Sequence, residues 1–185
     1  MVTKQKLTLE EFLELPEDDV SLEYVDGELI EKVAPQSQHG VLQVDLGALL
    51  KAPSESAGFK VMTETRFTFG QPPRVYLPDV ALARIRDIPV DSRGRLANDL
   101  RLAPTVAIEI LSPGQNAGRL LEKLLFYMEN GVRMAIVIDP DNDLATVYEP
   151  GQEPRGVHVP GVIDLSAIIP GASIDLGKLF ASLTP

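Results

Sequence analysis

The chain has 185 residues, of which 44% are hydrophobic, and this predicts one globular domain over residues 1–185 with a sizeable core. Cysteine is absent, so disulfides, thiolate metal sites and cysteine nucleophiles are excluded, whereas oxygen ligands for hard metals remain possible. The net charge of −10 argues against a surface that binds nucleic acid indiscriminately, because phosphate binding depends on Lys and Arg. No apolar run approaches the roughly 18 residues of a membrane helix. With no recognisable signal peptide, we expect a cytoplasmic protein.

The N-terminal segment predicts a short helix followed by a β-hairpin. Thr8 and Glu11 have the spacing of a capping box, which favours a helix from about Leu9 to Leu15. Asp26-Gly27 separates two β-prone segments and is a strong hairpin signal. Glu23 lies just before that turn, where it is either a solvated strand residue or part of a site.

A second helix is predicted from Ser37 or Gln38 to about Lys51, and it carries His39 in its first turn. Near the positive end of a helix dipole, a histidine can hydrogen-bond a phosphate or a carboxylate. A partly exposed ring without a task is the alternative interpretation. The expected buried side of this helix consists of Val41, Leu42, Leu46, Leu49 and Leu50.

The middle of the chain places a carboxylate on an apolar strand. Lys60 to Phe69 alternate apolar and polar residues, as a half-buried strand or a bent strand pair would. Val75 to Ala83 then predict an apolar strand that contains Asp79. Pro78 has no N–H for the ladder, so this strand should lie at a sheet edge or be bulged there.

The segment from Ile85 to Ala103 is long, charged and poorly periodic, which predicts a loop with a short helix near Leu96 to Leu100. Five arginines between Asp79 and Glu109 make this part of the chain more basic than either end. They are either ordinary solvated residues or a local basic cleft. The five are Arg84, Arg86, Arg93, Arg95 and Arg101.

Val106 to Leu111 form a short apolar run that predicts a strand covered on both faces, yet Glu109 stands inside it. A carboxylate there is costly unless a cation meets it. A helix is predicted from Gln115 to Asn130, stopped by Gly131 at its C′ position, and its Lys123 can supply that cation. We expect this helix to bury Leu121, Leu124, Leu125 and Met128, with Arg119, Lys123 and Tyr127 along the edge.

The C-terminal third predicts a hairpin and then short irregular structure. An apolar strand from Met134 to Pro140 turns at Asp141 to Asp143 into a second strand, with Asp139 as a turn-forming residue. Residues 150–175 predict short strands and turns, and residues 175–182 predict a last short helix.

Asp79, Glu109 and Lys123 together suit metal-assisted phosphodiester cleavage. Two carboxylates and a backbone carbonyl, such as that of Ile110, can hold Mg²⁺ and leave positions for water and a phosphate oxygen. The lysine can orient the attacking water and offset charge developing at phosphorus. A small-molecule hydrolase that uses the same carboxylates is an alternative with no distinctive sequence feature. The chain has no Gly-rich phosphate loop and no G-x-S-x-G motif.

Several different short motifs are distributed over most of the chain. They are LEYVDGEL at Leu22 to Leu29, HG at His39-Gly40, LPDVAL at Leu77 to Leu82, PTVAIEILSP at Pro104 to Pro113, Lys123 with Tyr127, NGV at Asn130 to Val132, and AIVIDP at Ala135 to Pro140. Together they resemble the Uma-type restriction endonuclease family, a bacterial family within the PD-(D/E)XK nuclease superfamily. The resemblance implies an α/β (α+β) restriction-endonuclease-like core, in which helices flank a central mixed β-sheet, with an extra N-terminal hairpin. It also implies a homodimer with Mg²⁺ or Mn²⁺ between two acidic strands, with Asp79 as the motif aspartate and Glu109 as the motif glutamate.

The chain departs from the family pattern at a few positions. The superfamily lysine usually stands two residues after the glutamate, where this chain has Leu111. The Uma-type family supplies it from the following helix, and Lys123 matches that placement. One turn earlier the family usually has an aspartate, whereas this chain has Arg119, which changes the local charge by about two units. The family's aromatic pair before the AIVIDP strand is Met134-Ala135 in this sequence.

We therefore predict a nuclease, dependent on Mg²⁺ or Mn²⁺, that cleaves DNA phosphodiesters. Asp79 and Glu109 are the predicted metal ligands, Lys123 is the predicted catalytic lysine, and His39 is a further catalytic candidate. The alternative is a non-catalytic dimeric binding or structural module that retains the fold, and the acidic composition and Arg119 favour it.

Overall fold

The computed structural model describes residues 6–16 and 21–184, which form four α-helices and twelve strands. The helices are α1 (Leu9–Leu13), α2 (Ser37–Ser56), α3 (Ala117–Glu129) and α4 (Leu176–Ala181). The strands are β1 (Leu22–Val25), β2 (Glu28–Glu31), β3 (Phe59–Thr63), β4 (Phe67–Phe69), β5 (Arg74–Tyr76), β6 (Val80–Arg84), β7 (Val106–Ile110), β8 (Met134–Asp139), β9 (Leu144–Tyr148), β10 (Arg155–His158), β11 (Val162–Asp164) and β12 (Ser173–Asp175).

Within those residues, the central sheet has six strands in the order β10-β9-β8-β7-β6-β3. β7 and β8 run parallel, and the other neighbours are antiparallel. All residues of β7 are buried, as expected for an apolar strand that a helix connects to a parallel neighbour. This mixed sheet flanked by helices confirms the predicted fold class.

Helices cover both faces of the central sheet and divide the core into two parts. On one face, the buried leucines of α2 pack with Ile108. On the other face, α3 packs through Leu124 with Ala107. Because side chains alternate along a strand, Glu109 points to the same face as Ala107. The sheet thus directs this carboxylate towards the helix that carries Lys123.

A second sheet, with the order β2-β1-β5-β4 among the described strands, contains the N-terminal hairpin. The hairpin predicted at Asp26-Gly27 is confirmed, and both residues have positive φ, as such a turn requires. The capping box of Thr8 and Glu11 is also present at the start of α1. β11 and β12 form a separate pair beside α4.

The strand predicted from Val75 to Ala83 is in fact two strands, β5 and β6, which belong to different sheets. We predicted an edge strand or a bulge at Pro78. The edge alternative was wrong, because β5 lies between β1 and β4 and β6 lies between β7 and β3, and the strand is interrupted at Pro78 rather than bulged. The ladder stops around Pro78, which has no N–H, and the Leu77 N–H donates instead to Glu23 Oε1 at 3.0 Å. The chain therefore passes from one sheet to the other where Asp79 stands.

Two helix predictions differ from the structure. α2 continues through Pro53, and Val41 and Leu49, which we expected to be buried, are exposed. The short helix predicted in the long loop does not form. Instead, Leu100 is buried, and its carbonyl accepts a hydrogen bond from the Thr68 N–H at 2.8 Å, which joins the loop to β4.

The buried face of α3 is rotated from the predicted stripe. Leu121 and Leu125 are about half exposed, whereas Lys123 and Tyr127 are buried beside Leu124. The prediction used helical spacing to take the leucines as the buried stripe, with Arg119, Lys123 and Tyr127 along its edge. It was wrong for Lys123 and Tyr127, which are buried against Glu109, whereas Arg119 is exposed.

The C-terminal hairpin of β8 and β9 is confirmed. Asp139 is a turn-forming residue, since its carboxylate accepts hydrogen bonds from Asn142 N at 3.2 Å and Asn142 Nδ2 at 2.9 Å. The last helix is also confirmed, with Asp175 as its N-cap.

Gly70→Ala should lower the free energy of unfolding by about 3 kcal/mol, because the backbone strain at positive φ and the steric overlap of the new methyl group both destabilise the fold. Gly70 has φ +91°, and an added Cβ would overlap the ring of Phe126, which packs against Phe69 and Tyr76. Gly151→Ala is the matched control, with φ +74° but open space around the new methyl among the described residues. It should cost about 1 kcal/mol. Equal losses in urea unfolding would contradict the role assigned to this aromatic contact.

Candidate active site

Glu109 lies in the middle of the central sheet and is 2% exposed. Its Oε2 accepts a hydrogen bond from Lys123 Nζ at 2.8 Å, and its Oε1 accepts one from the Tyr127 hydroxyl at 2.9 Å. Lys123 and Tyr127 are one helical turn apart on α3, so both reach the same carboxylate. Pairing of both oxygens lowers the cost of burying this charge.

Glu23 completes this group from β1. Its Oε1 lies 2.7 Å from Lys123 Nζ and also accepts the hydrogen bond from the Leu77 N–H. Lys123 therefore stands between two buried carboxylates. We term Glu23, Glu109, Lys123 and Tyr127 the buried charge network.

Electrostatics keep the two donors of this network protonated. Burial raises the pKa of Glu109 to about 7, although the Lys123 ammonium favours the carboxylate. Burial alone would lower the pKa of Lys123, but the carboxylates of Glu109 and Glu23 raise it above its ordinary value. Burial beside Glu109 also raises the pKa of Tyr127 well above its ordinary value. At neutral pH both Lys123 and Tyr127 can therefore donate to Glu109.

Asp79 lies immediately before β6 and is buried. Its Oδ2 accepts a hydrogen bond from the Ile110 N–H at 2.6 Å, which ties it to the end of β7. Its Oδ1 accepts one from Lys32 Nζ at 2.7 Å. Burial alone would raise the pKa of Asp79, but the adjacent His39 ring and the Lys32 ammonium bring it below its ordinary value. Asp79 is therefore an ionised carboxylate at neutral pH.

His39, in the first turn of α2, is 7% exposed. Its Nδ1 lies 3.0 Å from Ser112 Oγ, a contact that orients the ring. Its Nε2 lies 3.4 Å from Asp79 Oδ1, but it has no hydrogen-bond partner among the residues that the structure describes. An unpaired buried nitrogen is unusual and suggests that a ligand belongs beside it.

Lys32 and Glu64 are site residues that sequence reasoning missed. Lys32 Nζ lies 2.7 Å from Asp79 Oδ1, 2.7 Å from Glu64 Oε2 and 2.8 Å from the carbonyl oxygen of Leu77. Lys32 follows the hairpin and Glu64 follows β3, so only the fold brings them to Asp79. No local sequence pattern signals this contact.

All four predicted catalytic residues line one cavity of about 330 Å³. They are Asp79, Glu109, Lys123 and His39, and Arg119 also lines this cavity. The five arginines of the central segment do not line it, and most of them are exposed. This placement supports the solvated-loop interpretation of those arginines.

Three side chains at the edge of this cavity, of which His39 and Asp79 line it, fit a divalent metal. One ligand atom from each of His39, Glu64 and Asp79 lies within 4.8 Å of the other two. Carboxylate oxygens together with an imidazole nitrogen suit Mn²⁺, and carboxylates suit Mg²⁺. Nε2 of His39, which lies 3.4 Å from Asp79 Oδ1, can supply the nitrogen ligand for such an ion. This group contains the predicted ligand Asp79, whereas Glu109 already accepts hydrogen bonds at both oxygens.

The mixed sheet, the flanking helices and the acidic cavity together define a restriction-endonuclease-like α/β protein. The chain belongs to the Uma2 family, which is described as a putative restriction endonuclease and whose model matches residues 9–177. A crystal structure of a putative nuclease belonging to DUF820, from Anabaena variabilis ATCC 29413, has a TM-score of 0.89 and 30% sequence identity. The match covers 96% of this chain and 99% of that one. These findings confirm the family resemblance seen in the sequence motifs.

A cryo-EM structure of a DrdV–DNA complex is a more distant match, with a TM-score of 0.38 and 18% identity over 76% of this chain and 75% of that one. Among curated proteins, none matches this chain. None of the helices within residues 6–16 and 21–184 has the length and apolar character needed to span a bilayer.

Lys123→Met should lower the free energy of unfolding by about 3–5 kcal/mol, because it leaves two buried carboxylates without their cation. Lys178→Met removes the same charge from an exposed position and should change stability by less than about 0.5 kcal/mol. Urea unfolding of both variants measures the difference. Similar stabilities would show that the network does not depend on the Lys123 ammonium.

Proposed function

We propose that this protein is a divalent-metal-dependent nuclease that hydrolyses phosphodiester bonds of nucleic acid. The observation that carries the proposal is the convergence of Asp79, Glu109, Lys123 and His39 on one cavity. These residues come from four different parts of the fold: the start of β6, β7, α3 and α2. Membership of the Uma2 family supports the same reaction class.

Asp79 and Glu109 are the proposed metal ligands, for Mg²⁺ or Mn²⁺. Asp79 is the ready one of the two, because its pKa lies below the ordinary value and its Oδ2 is fixed by the Ile110 N–H. Glu109 is held in place by Lys123 and Tyr127. When bound, the ion supplies Lewis-acid polarisation of a phosphoryl oxygen and of the attacking water.

Lys123 is the proposed catalytic lysine. Its ammonium group has three N–H donors, and two of them are directed at Glu23 and Glu109. We propose that the third donates to a phosphate oxygen or to the attacking water in the cavity that Lys123 lines. Because its pKa is raised, Lys123 stays charged and can offset the negative charge that develops at phosphorus.

His39 is the proposed second polar group at the reacting water. Ser112 orients the ring through Nδ1, while Nε2 faces Asp79 without a hydrogen-bond partner among the described residues. A neutral ring in this position can accept a proton or coordinate an ion, and both roles use the same nitrogen.

DNA is the proposed substrate, although the net charge of −10 disfavours binding over the whole surface. Cations at the cavity are local, and they include Lys32, Lys123 and Arg119. Arg119 is exposed near the start of α3, where it can meet a phosphate outside the reacting position.

A non-catalytic dimeric module is the second candidate. The observation in its favour is Arg119, which lines the cavity where the family usually has an aspartate. In such a protein the buried charge network would stabilise the fold without turnover. The single-domain organisation, the homodimer and the cytoplasmic location stay predictions.

Asp79→Asn should lower the rate of DNA cleavage by at least about a hundredfold, because it removes a proposed metal ligand. The assay follows nicking of supercoiled plasmid with Mg²⁺ or Mn²⁺, and the wild-type rate should vanish in chelator. Asp87→Asn is the control, since it makes the same charge change on an exposed side chain. It should cleave at the wild-type rate.

Calorimetry separates the two candidate functions. Divalent-ion binding that Asp79→Asn abolishes and Asp87→Asn leaves unchanged is expected of the nuclease. If neither DNA nor RNA is cut and no ion binds at millimolar concentration, the nuclease proposal is wrong and the non-catalytic module stands.

A further inference from the structure

The Lys32 ammonium occupies a cage of three oxygens. Its Nζ lies 2.7 Å from Asp79 Oδ1, 2.7 Å from Glu64 Oε2 and 2.8 Å from the Leu77 carbonyl oxygen. Two carboxylates and one backbone carbonyl form the kind of oxygen set that also coordinates hard divalent cations. A protein cation thus stands where a metal ion would find its ligands.

A buried nitrogen points into the same cage. His39 is only 7% exposed. Its Nε2 lies 3.4 Å from Asp79 Oδ1, the oxygen that Lys32 also contacts. This Nε2 lacks a hydrogen-bond partner among the described residues. Nδ1 is in contact with Ser112 Oγ, so Nε2 is the ring nitrogen that could ligate an ion. Nε2 thus adds a nitrogen ligand to the three oxygens of the cage.

Gln43 holds two residues of the cage in place and does not itself occupy the cage. Gln43 Nε2 donates to Glu64 Oε1 at 3.1 Å and to the Asp79 carbonyl at 2.8 Å. These bonds fix the outer carboxylate relative to the inner one. The oxygen positions therefore do not depend on Lys32 alone.

Lys32 and Glu64 form the edge of the cage that faces solvent. Its side chain is 15% exposed and that of Glu64 is 36% exposed, so this edge of the cage meets solvent. Lysine carries its charge on a flexible four-carbon stem.

We propose that Asp79, Glu64, the Leu77 carbonyl and His39 form a divalent-cation site that the Lys32 ammonium holds in the metal-free protein, so that an ion binds by displacing Lys32. The inference rests on the proposed function for the use of the ion, but not on turnover. It makes Lys32 a competitor of the metal. Two positive charges cannot share the cage without strong repulsion, because the site is largely buried.

Lys32→Met should tighten Mn²⁺ binding by about ten- to hundredfold in calorimetry with the metal alone, since a competing charge of this kind shifts binding by roughly one to two powers of ten. Lys178→Met lowers the net charge equally on an exposed side chain and should bind as the wild type does. Unchanged or weaker affinity in Lys32→Met overturns the proposal. An equal gain in Lys178→Met also overturns it.

Glu64→Gln tests the ligand set. In the Lys32→Met background it should remove most of the gain in affinity, whereas Glu55→Gln, an exposed control, should keep it. A gain that survives Glu64→Gln places the ion elsewhere and overturns the proposal. If Lys32→Met does not fold, Lys32→Gln serves instead, and the rise in melting temperature on adding Mn²⁺ should exceed that of the wild type.

The outcomes separate this inference from the nuclease proposal. Tighter ion binding in Lys32→Met by a protein that cuts no nucleic acid leaves the cation site standing and removes the nuclease. DNA cleavage by a wild type whose Lys32→Met variant binds Mn²⁺ no better removes the competition and leaves the nuclease. Absence of ion binding in every variant overturns both.

Discussion

The structure depends on a buried negative charge in its central strand. Glu109 interrupts an apolar run, and its burial is possible because Lys123 and Tyr127 occupy both of its oxygens. The same lysine binds Glu23, so one ammonium group joins β1, β7 and α3. Removing one charged partner from such a network lowers the free energy of unfolding by more than the intact network adds to it, because the remaining charges stay buried without a partner. The contact is therefore a constraint on the whole fold as well as a candidate site.

The passage between the two sheets places the second carboxylate. The chain leaves the four-stranded sheet after β5 and enters the central sheet at β6, as described above. Asp79 stands at that point, and the Ile110 N–H binds its Oδ2 at the end of the neighbouring strand. The Leu77 backbone serves both halves of the site, since its N–H binds Glu23 and its carbonyl binds Lys32. The ladder therefore breaks at Pro78, and the backbone groups of the preceding residue, Leu77, bind side chains instead of a neighbouring strand.

Sequence reasoning found the parts of this site that carry a local cost or a motif. Glu109 was visible because a carboxylate in an apolar strand demands a partner, and the hairpin at Asp26-Gly27 was visible because few residues accept its backbone angles. The face of α3 was predicted wrongly, because the leucines were taken as its buried stripe, whereas Glu109 binds Lys123 and Tyr127 inside the protein. The contact between Lys32 and Glu64 had no signal, because it depends on how two sheets meet and not on any local pattern.

The two lysines of the site differ in how readily a metal ion can displace them. Lys123 is enclosed by carboxylates from a strand and a hairpin, and its displacement would break contacts that hold the sheets together. Lys32 lies at the solvent edge, where its ammonium binds Glu64 Oε2. The other oxygen of Glu64 accepts a hydrogen bond from Gln43, so Glu64 has a second partner. The cavity therefore has a fixed cation that supports the fold and an exchangeable one whose place an ion can take.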